Sequence, residues 1–197
     1  MKTDKPTTKI IAGTHKGKVL ELPSLDVTRS SKSMLKESLF NVLQFDIIDK
    51  IFIESFAGSG SVGLEAISRG ATRAYFIELD KNSYQILLKN CKLVDIEKCQ
   101  TIQGNTFVQT PLILDFLRNS KDEIVLYVDP PFDYREGMED IYKKSFHMIE
   151  EITATNIFMI IVEHVSSLEI PEVLGKFSLD KTRKFGKSAL SYYSYTK

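Results

Sequence analysis

Two stretches carry the residues with most chemical potential. In IFIESFAGSGSVGLE, Gly58, Gly60 and Gly63 satisfy G-x-G-x-x-G between an apolar run that reads as a strand and an amphipathic run that reads as a helix, the context that pattern requires. Glycine lacks a Cβ, so the loop can turn sharply and let its backbone approach a ligand. Glu78 ends the next apolar run, where a carboxylate accepts hydrogen bonds from ribose hydroxyls. Together these point to an adenosine-containing ligand at the strand ends. Glu54 lies four residues before Gly58. A dinucleotide needs the helix N-terminus free for its pyrophosphate, and a carboxylate beside it suits a cation better. The acid points toward S-adenosylmethionine, with its ammonium and sulfonium, and away from NAD.

The second stretch, IVLYVDPPFDY, is an apolar run stopped by Asp129, Pro130 and Pro131, with Phe132 beyond. Prolines fix their own φ and restrict the residue before them, so this strand end is a stiff shelf. It offers a carboxylate, a fixed carbonyl and a flat apolar ring. Asp133, one residue later, suits a turn.

The elements that must hold these residues follow from hydrophobic periodicity. From residue 51, IFIES, AYFIE, TIQ, IVLYV and NIFMIIVEH read as strands. SVGLEAISR, NSYQILLKNCKL, TPLILDFLRNS and a helix within MEDIYKKSFHMIEE alternate with them. Such alternation predicts an α/β fold with a Rossmann-like parallel sheet covered on both faces, because parallel strands need crossover connections. KFSLDKTRKFG and SALSYYSYT, joined at Gly186 and Lys187, break the rhythm as an antiparallel hairpin that finishes the sheet. Ahead of this unit, KIIAG and KVLELP pair as a short hairpin, and SKSMLKESLFNVLQF places Leu35, Leu39, Val42 and Leu43 at helical spacing. The chain divides into an N-terminal extension, residues 1–45, and a catalytic domain, residues 46–197.

Hydrophobic content of 43% and charged content of 26% belong to a folded chain. No apolar run approaches a membrane span of about 18 residues, and the N-terminal MKTDKPTTK has no signal-peptide core; a cytoplasmic protein is expected. Cys91 and Cys99 lack zinc spacing and are too few for a disulfide framework, while His15, His147 and His164 are scattered. No metal is expected. Net charge is zero, yet residues 1–36 hold eight Lys or Arg against three acids and residues 176–197 hold six against one. Two basic ends suit either a polyanionic partner or solvated, lysine-rich termini.

Further residues carry a resemblance. Glu54, Phe56, Gly58 and Gly60 resemble the first motif of class I S-adenosylmethionine-dependent methyltransferases. Asp129-Pro130-Pro131-Phe132 is similar to the D/N-P-P-Y/F motif of those that methylate exocyclic amines. IIAGTHKGKVLELP, TRSSKSMLKESLFNVL, FAGSGSVGLEAISRGA, VDPPF and KFGKSALSYY resemble the RsmD family over nearly the whole chain. That resemblance implies a seven-stranded sheet with an antiparallel last strand. It also implies methyl transfer from S-adenosylmethionine to the exocyclic amine of a guanine in 16S ribosomal RNA, free or within a small-subunit particle, by a monomer. Three positions depart from the family: Glu54 stands for Asp, Ser30 for proline, and Asn105 for the Asp that meets adenine. An amide oxygen still accepts a hydrogen bond there.

The expected catalytic residues are therefore Asp129, Pro130, Pro131 and Phe132. Those expected to bind cofactor are Glu54, Phe56, Gly58, Gly60, Glu78 and Asn105. Arg29, Lys32 and Lys36, around the first helix, and Arg183, Lys184 and Lys187, around the last hairpin, are expected to hold RNA phosphates. The alternatives are a methyltransferase acting on DNA adenine or protein glutamine, an NAD-dependent oxidoreductase, and a non-catalytic RNA-binding protein.

Overall fold

The computed structural model describes residues 6–23, 29–131 and 140–196, with side chains of the first helix described from Ser33 onward. Ten strands and five α-helices are present among these residues. A two-stranded hairpin, β1 (Thr7–Lys9) and β2 (Val19–Glu21), precedes α1 (Arg29–Leu43). Next come β3 (Ile51–Glu54), α2 (Ser61–Ser68), β4 (Arg73–Glu78), α3 (Lys81–Val94), β5 (Cys99–Gln103), α4 (Thr106–Leu117) and β6 (Ile124–Val128). The chain continues through α5 (Ile141–Glu150), β7 (Ile157–Val165), β8 (Val173–Leu174), β9 (Phe177–Phe185) and β10 (Ser188–Tyr195).

The main sheet runs β5-β4-β3-β6-β7-β10-β9-β8. The first five of these are parallel, and β10, β9 and β8 add antiparallel. The sheet has eight strands rather than the seven expected, because the two-residue β8 pairs with the start of β9. Successive residues of the central strands serve opposite cores. Phe52, Val125 and Tyr127 pack under α1, α2 and α3. Ile51, Ile53, Ile124, Leu126 and Val128 pack under α4 and α5. A strand buried on both sides must be apolar throughout, which is why IVLYV shows no alternation.

The N-terminal extension shares the first of these cores. Ile10, Leu20, Leu35, Leu39, Phe40 and Leu43 cluster with Phe52, Leu64 and Ile67. Its first strand lies at Thr7–Lys9, earlier than the KIIAG run, since the amides of Ile11 and Ala12 leave the hairpin and donate to Glu65. Likewise α4 begins at Thr106 and not at Thr110, because Asn105 caps it by accepting from the Phe107 amide at 2.9 Å. Pro111 therefore sits inside the helix. No described helix is long and apolar enough to cross a membrane.

Candidate active site

The strands β3, β4 and β5 step outward in one direction, and the chain then crosses to place β6 on the other side of β3. Ligands of open α/β sheets bind at the carboxyl ends of strands beside such a reversal. Four expected site residues meet there by topology: Glu54 ends β3, Glu78 ends β4, Asn105 follows β5 and Asp129 follows β6. Because β3 pairs in parallel with both β4 and β6, with Glu54 opposite Phe76 and Tyr127, the acids stand on neighbouring strand ends.

Their hydrogen bonds shape the glycine loop. Glu78 spans two amides, Gly58 N–H to one oxygen and Asp80 N–H to the other, each at 2.7 Å. A carboxylate offers about four lone-pair sites, so Glu78 retains capacity for a ribose. Glu54 is buried and accepts from Gly63 N–H at 2.8 Å. Its charge therefore already complements the positive N-terminal end of α2, which would otherwise draw a phosphate. Gly58 and Gly60 adopt left-handed backbone, φ +53° and +74°. Among the described residues nothing lies within 4 Å of where a Gly58 Cβ would stand. At Gly60 a Cβ would meet Leu87 Cδ1 at 2.4 Å. Phe56 packs edge-on against Phe107, ring centroids 5.9 Å apart.

On the other side of the reversal, Pro130 is buried while Asp129 and Pro131 are partly exposed. Under them lies a polar pair that periodicity gave no hint of. The fully buried Tyr127 hydroxyl donates to Glu163, on the adjoining β7. Val128 pairs with Val162, so Asp129, just past the end of β6, and Glu163, still within β7, follow on neighbouring strands. Burial, then the nearby charges of Glu163 and Asp129, push the Tyr127 phenol well above its usual value and keep it a donor.

Phe132 and Asp133 lie outside the described residues. Asn105 uses its side-chain oxygen on the helix cap, which leaves its amide N–H groups as the feature it can turn toward an adenine. Among the basic residues, Arg183, Lys184 and Lys187 are exposed around the turn between β9 and β10. Arg29 and Lys32 fall on α1, in the portion whose side chains are not described. Lys36 does not belong to this surface. It is only 5% exposed, donates to the Lys9 carbonyl at 2.9 Å and pairs with Glu65 at 3.5 Å. The spacing that puts Leu35, Leu39 and Leu43 on the core brings Lys36 along with Leu35, and Glu65 supplies the compensating charge. A groove of about 650 Å³ between α4 and α5 touches the site only at Asn105 and Phe107, and none of Glu54, Glu78 or Asp129 lines it. Among the described residues no group of His, Cys, Asp and Glu could hold a metal ion.

Residues 8–194 match the family model described as conserved hypothetical protein 95, the model of the RsmD family. The chain belongs to the RsmD methyltransferase family. It is 29% identical over 187 residues to ribosomal RNA small subunit methyltransferase D of Escherichia coli K12, spanning 94% of this chain and 88% of that one. To the protein of the same name from Haemophilus influenzae it is 36% identical over 129 residues, 64% of each. The solved structure of the Escherichia coli methyltransferase candidate yhhF superposes with a TM-score of 0.73 at 28% identity, covering 96% of this chain and 98% of the other.

Membership in this methyltransferase family gives the loop geometry its meaning. The donor set suits an adenosyl cation: acids end β3 and β4, Glu54 already occupies an amide in the first turn of α2, and no described residue crowds the place of a Gly58 Cβ. The residues present thus fit S-adenosylmethionine.

Proposed function

We propose that this enzyme methylates the exocyclic amine of a guanine in small-subunit ribosomal RNA, with S-adenosylmethionine as donor. The observation that carries the reading is the Asp129-Pro130 strand end standing beside the glycine loop across the β3/β6 reversal. The relatives named ribosomal RNA small subunit methyltransferase D support the substrate class.

The bound cofactor supplies an electrophilic methyl on a sulfonium. Glu54, Phe56, Gly58, Gly60, Glu78 and Asn105 would hold it at the ends of β3, β4 and β5. A guanine amine is a weak nucleophile because its lone pair is delocalised into the ring. Asp129 accepts one of its hydrogens and the Pro130 carbonyl the other, which turns the nitrogen toward the methyl. Positive charge would build on that nitrogen as its bond to the methyl forms and the sulfur–methyl bond breaks with loss of the neutral thioether. The fixed carboxylate of Asp129 stabilises that charge, and the nitrogen then sheds one proton through Asp129 to solvent. Alignment of donor and acceptor contributes through proximity, a term of up to about 7 to 11 kcal/mol in well-oriented cases. Phe132 offers a face for the unstacked base, an interaction of about 1 to 3 kcal/mol, since enzymes acting on a base take it out of its stack.

RNA phosphates are held by Arg29 and Lys32 at the start of α1 and by Arg183, Lys184 and Lys187 at the last hairpin. Replacing Arg183, Lys184 and Lys187 together by Gln is expected to weaken RNA binding and to flatten its dependence on salt, with cofactor affinity unchanged. Equal salt slopes for variant and parent would remove the hairpin from the RNA surface. The reaction itself is tested by incubation with labelled S-adenosylmethionine and small-subunit RNA or particles, followed by mass spectrometry of the nucleosides. Guanosine methylated on its exocyclic amine is the expected product. Methyladenosine, or no transfer to either substrate, would overturn the assignment.

A further inference from the structure

The glycine loop rests on a residue that no motif contains. Asn90, on α3, is 2% exposed, and its amide makes three hydrogen bonds. Its oxygen accepts from Glu21 N–H at 3.0 Å, while its nitrogen donates to the Glu21 carbonyl at 2.9 Å and to the Ser59 carbonyl at 2.8 Å. Asn90 thus pairs with Glu21 of β2 as another strand would, and grips the glycine loop with its remaining hydrogen. The gripped peptide is the one between Ser59 and Gly60. Its other end is held as well, since Gly60 N–H donates to the Ala57 carbonyl at 2.7 Å. Gly58 and Gly60, the left-handed glycines on either side of Ser59, tolerate several backbone orientations. Without the Asn90 bond the Ser59–Gly60 peptide loses its carbonyl anchor between two permissive residues.

We propose that Asn90 is a positioning residue for the cofactor loop, and that through it the N-terminal hairpin forms part of the cofactor site's support. This rests on the reading of the loop as the S-adenosylmethionine site. The hairpin also reaches the catalytic unit by routes separate from Asn90, among them the Ile11 and Ala12 amides on Glu65. Ser68 at the end of α2 donates to the Ala12 carbonyl at 2.6 Å and accepts from His15 N–H at 2.9 Å, without a bond to the glycine loop. Because these attachments bypass Asn90, the proposal is separable from simple docking of the hairpin.

The test measures binding of S-adenosylmethionine and S-adenosylhomocysteine to the full chain by calorimetry, alongside urea unfolding, for the parent, Asn90→Ala, Asn90→Asp and Ser68→Ala. Ser68→Ala is expected to unfold at lower urea and keep the parent's cofactor affinity. Asn90→Ala is expected to weaken both ligands about tenfold. Asn90→Asp retains the acceptor for Glu21 N–H but, as a carboxylate, has no donor for the Ser59 or Glu21 carbonyl, so it is expected to bind as weakly as Asn90→Ala. Equal affinity losses in Ser68→Ala and Asn90→Ala, or parent affinity in Asn90→Asp, would overturn the positioning role. If Asn90→Ala does not fold, Asn90→Asp and Ser68→Ala still decide it. A parent that binds neither ligand would instead refute the cofactor assignment.

Discussion

Asp129→Ala is expected to slow methyl transfer about 100- to 1,000-fold while leaving cofactor affinity within a factor of two, the range found when one preorganised group is taken from a developing charge. The acids proposed to hold the cofactor, Glu54 and Glu78, end β3 and β4, and the substitution leaves their bonds to Gly63 and Gly58 in place. The loss therefore falls on the chemical step. Single-turnover rates with saturating S-adenosylmethionine would show it, with binding of S-adenosylhomocysteine as the control. Asp129→Asn is the sharper variant: it keeps the shape and one acceptor but removes the charge that opposes the cation forming on nitrogen. A parent-like single-turnover rate in Asp129→Asn would show that the carboxylate's charge is not used. Transfer by Asp129→Ala at the parent rate would remove Asp129 from the mechanism.

The largest expected effect on stability comes from Glu65, two residues beyond the last glycine of the loop. Its side chain is fully buried and accepts from Ile11 N–H at 2.7 Å, Ala12 N–H at 2.9 Å and Arg69 at 2.8 Å, with the Lys36 ammonium 3.5 Å away. Glu65→Ala leaves the buried Lys36 ammonium without its counter-charge and the Ile11 and Ala12 amides without their acceptor, and breaking a buried ion pair by removing one partner costs about 3 to 5 kcal/mol. Urea unfolding would measure it; a loss below about 1 kcal/mol would mean that the hairpin finds other partners. The variant has a pH signature as well. Burial lowers the Lys36 pKa, and Glu65 opposes that shift, so its removal lowers the value further. A lysine whose folded pKa lies below its unfolded one binds more protons when unfolded, so stability rises with pH between the two values. Glu65→Ala should thus recover part of its loss as pH climbs toward the unfolded lysine value, and Lys36→Met in the same background should abolish the recovery.

The architecture was largely legible in the chain because the central strands are buried on both faces. Apolar runs such as IVLYV, separated by amphipathic helices, admit few other arrangements. The stubby β8 was not legible, since two residues carry no periodicity. The helix read in TPLILDFLRNS begins one turn earlier for a local reason: the Asn105 cap sets its start at Thr106 and leaves Pro111 inside.

For the site, the acids at strand ends were legible because each follows an apolar run, and topology alone brings Glu54, Glu78 and Asp129 to one edge. Lys36 shows the limit of the same reasoning. Its charge suggested a surface role, yet a lysine between Leu35 and Glu37 can turn inward when a buried carboxylate waits there. By itself, the sequence determined the fold class, the glycine loop, the acidic strand ends and the stiff Asp129-Pro130-Pro131 turn, because these depend on local pattern and backbone restriction. Only the tertiary structure decided that Glu65, Asn90 and Glu163 are the buried partners supporting them. The pairings of Asn90 with Ser59 and Glu21, of Glu163 with Tyr127 and of Glu65 with Ile11 join residues 31 to 69 positions apart, on elements that meet through packing and not through any spacing along the chain.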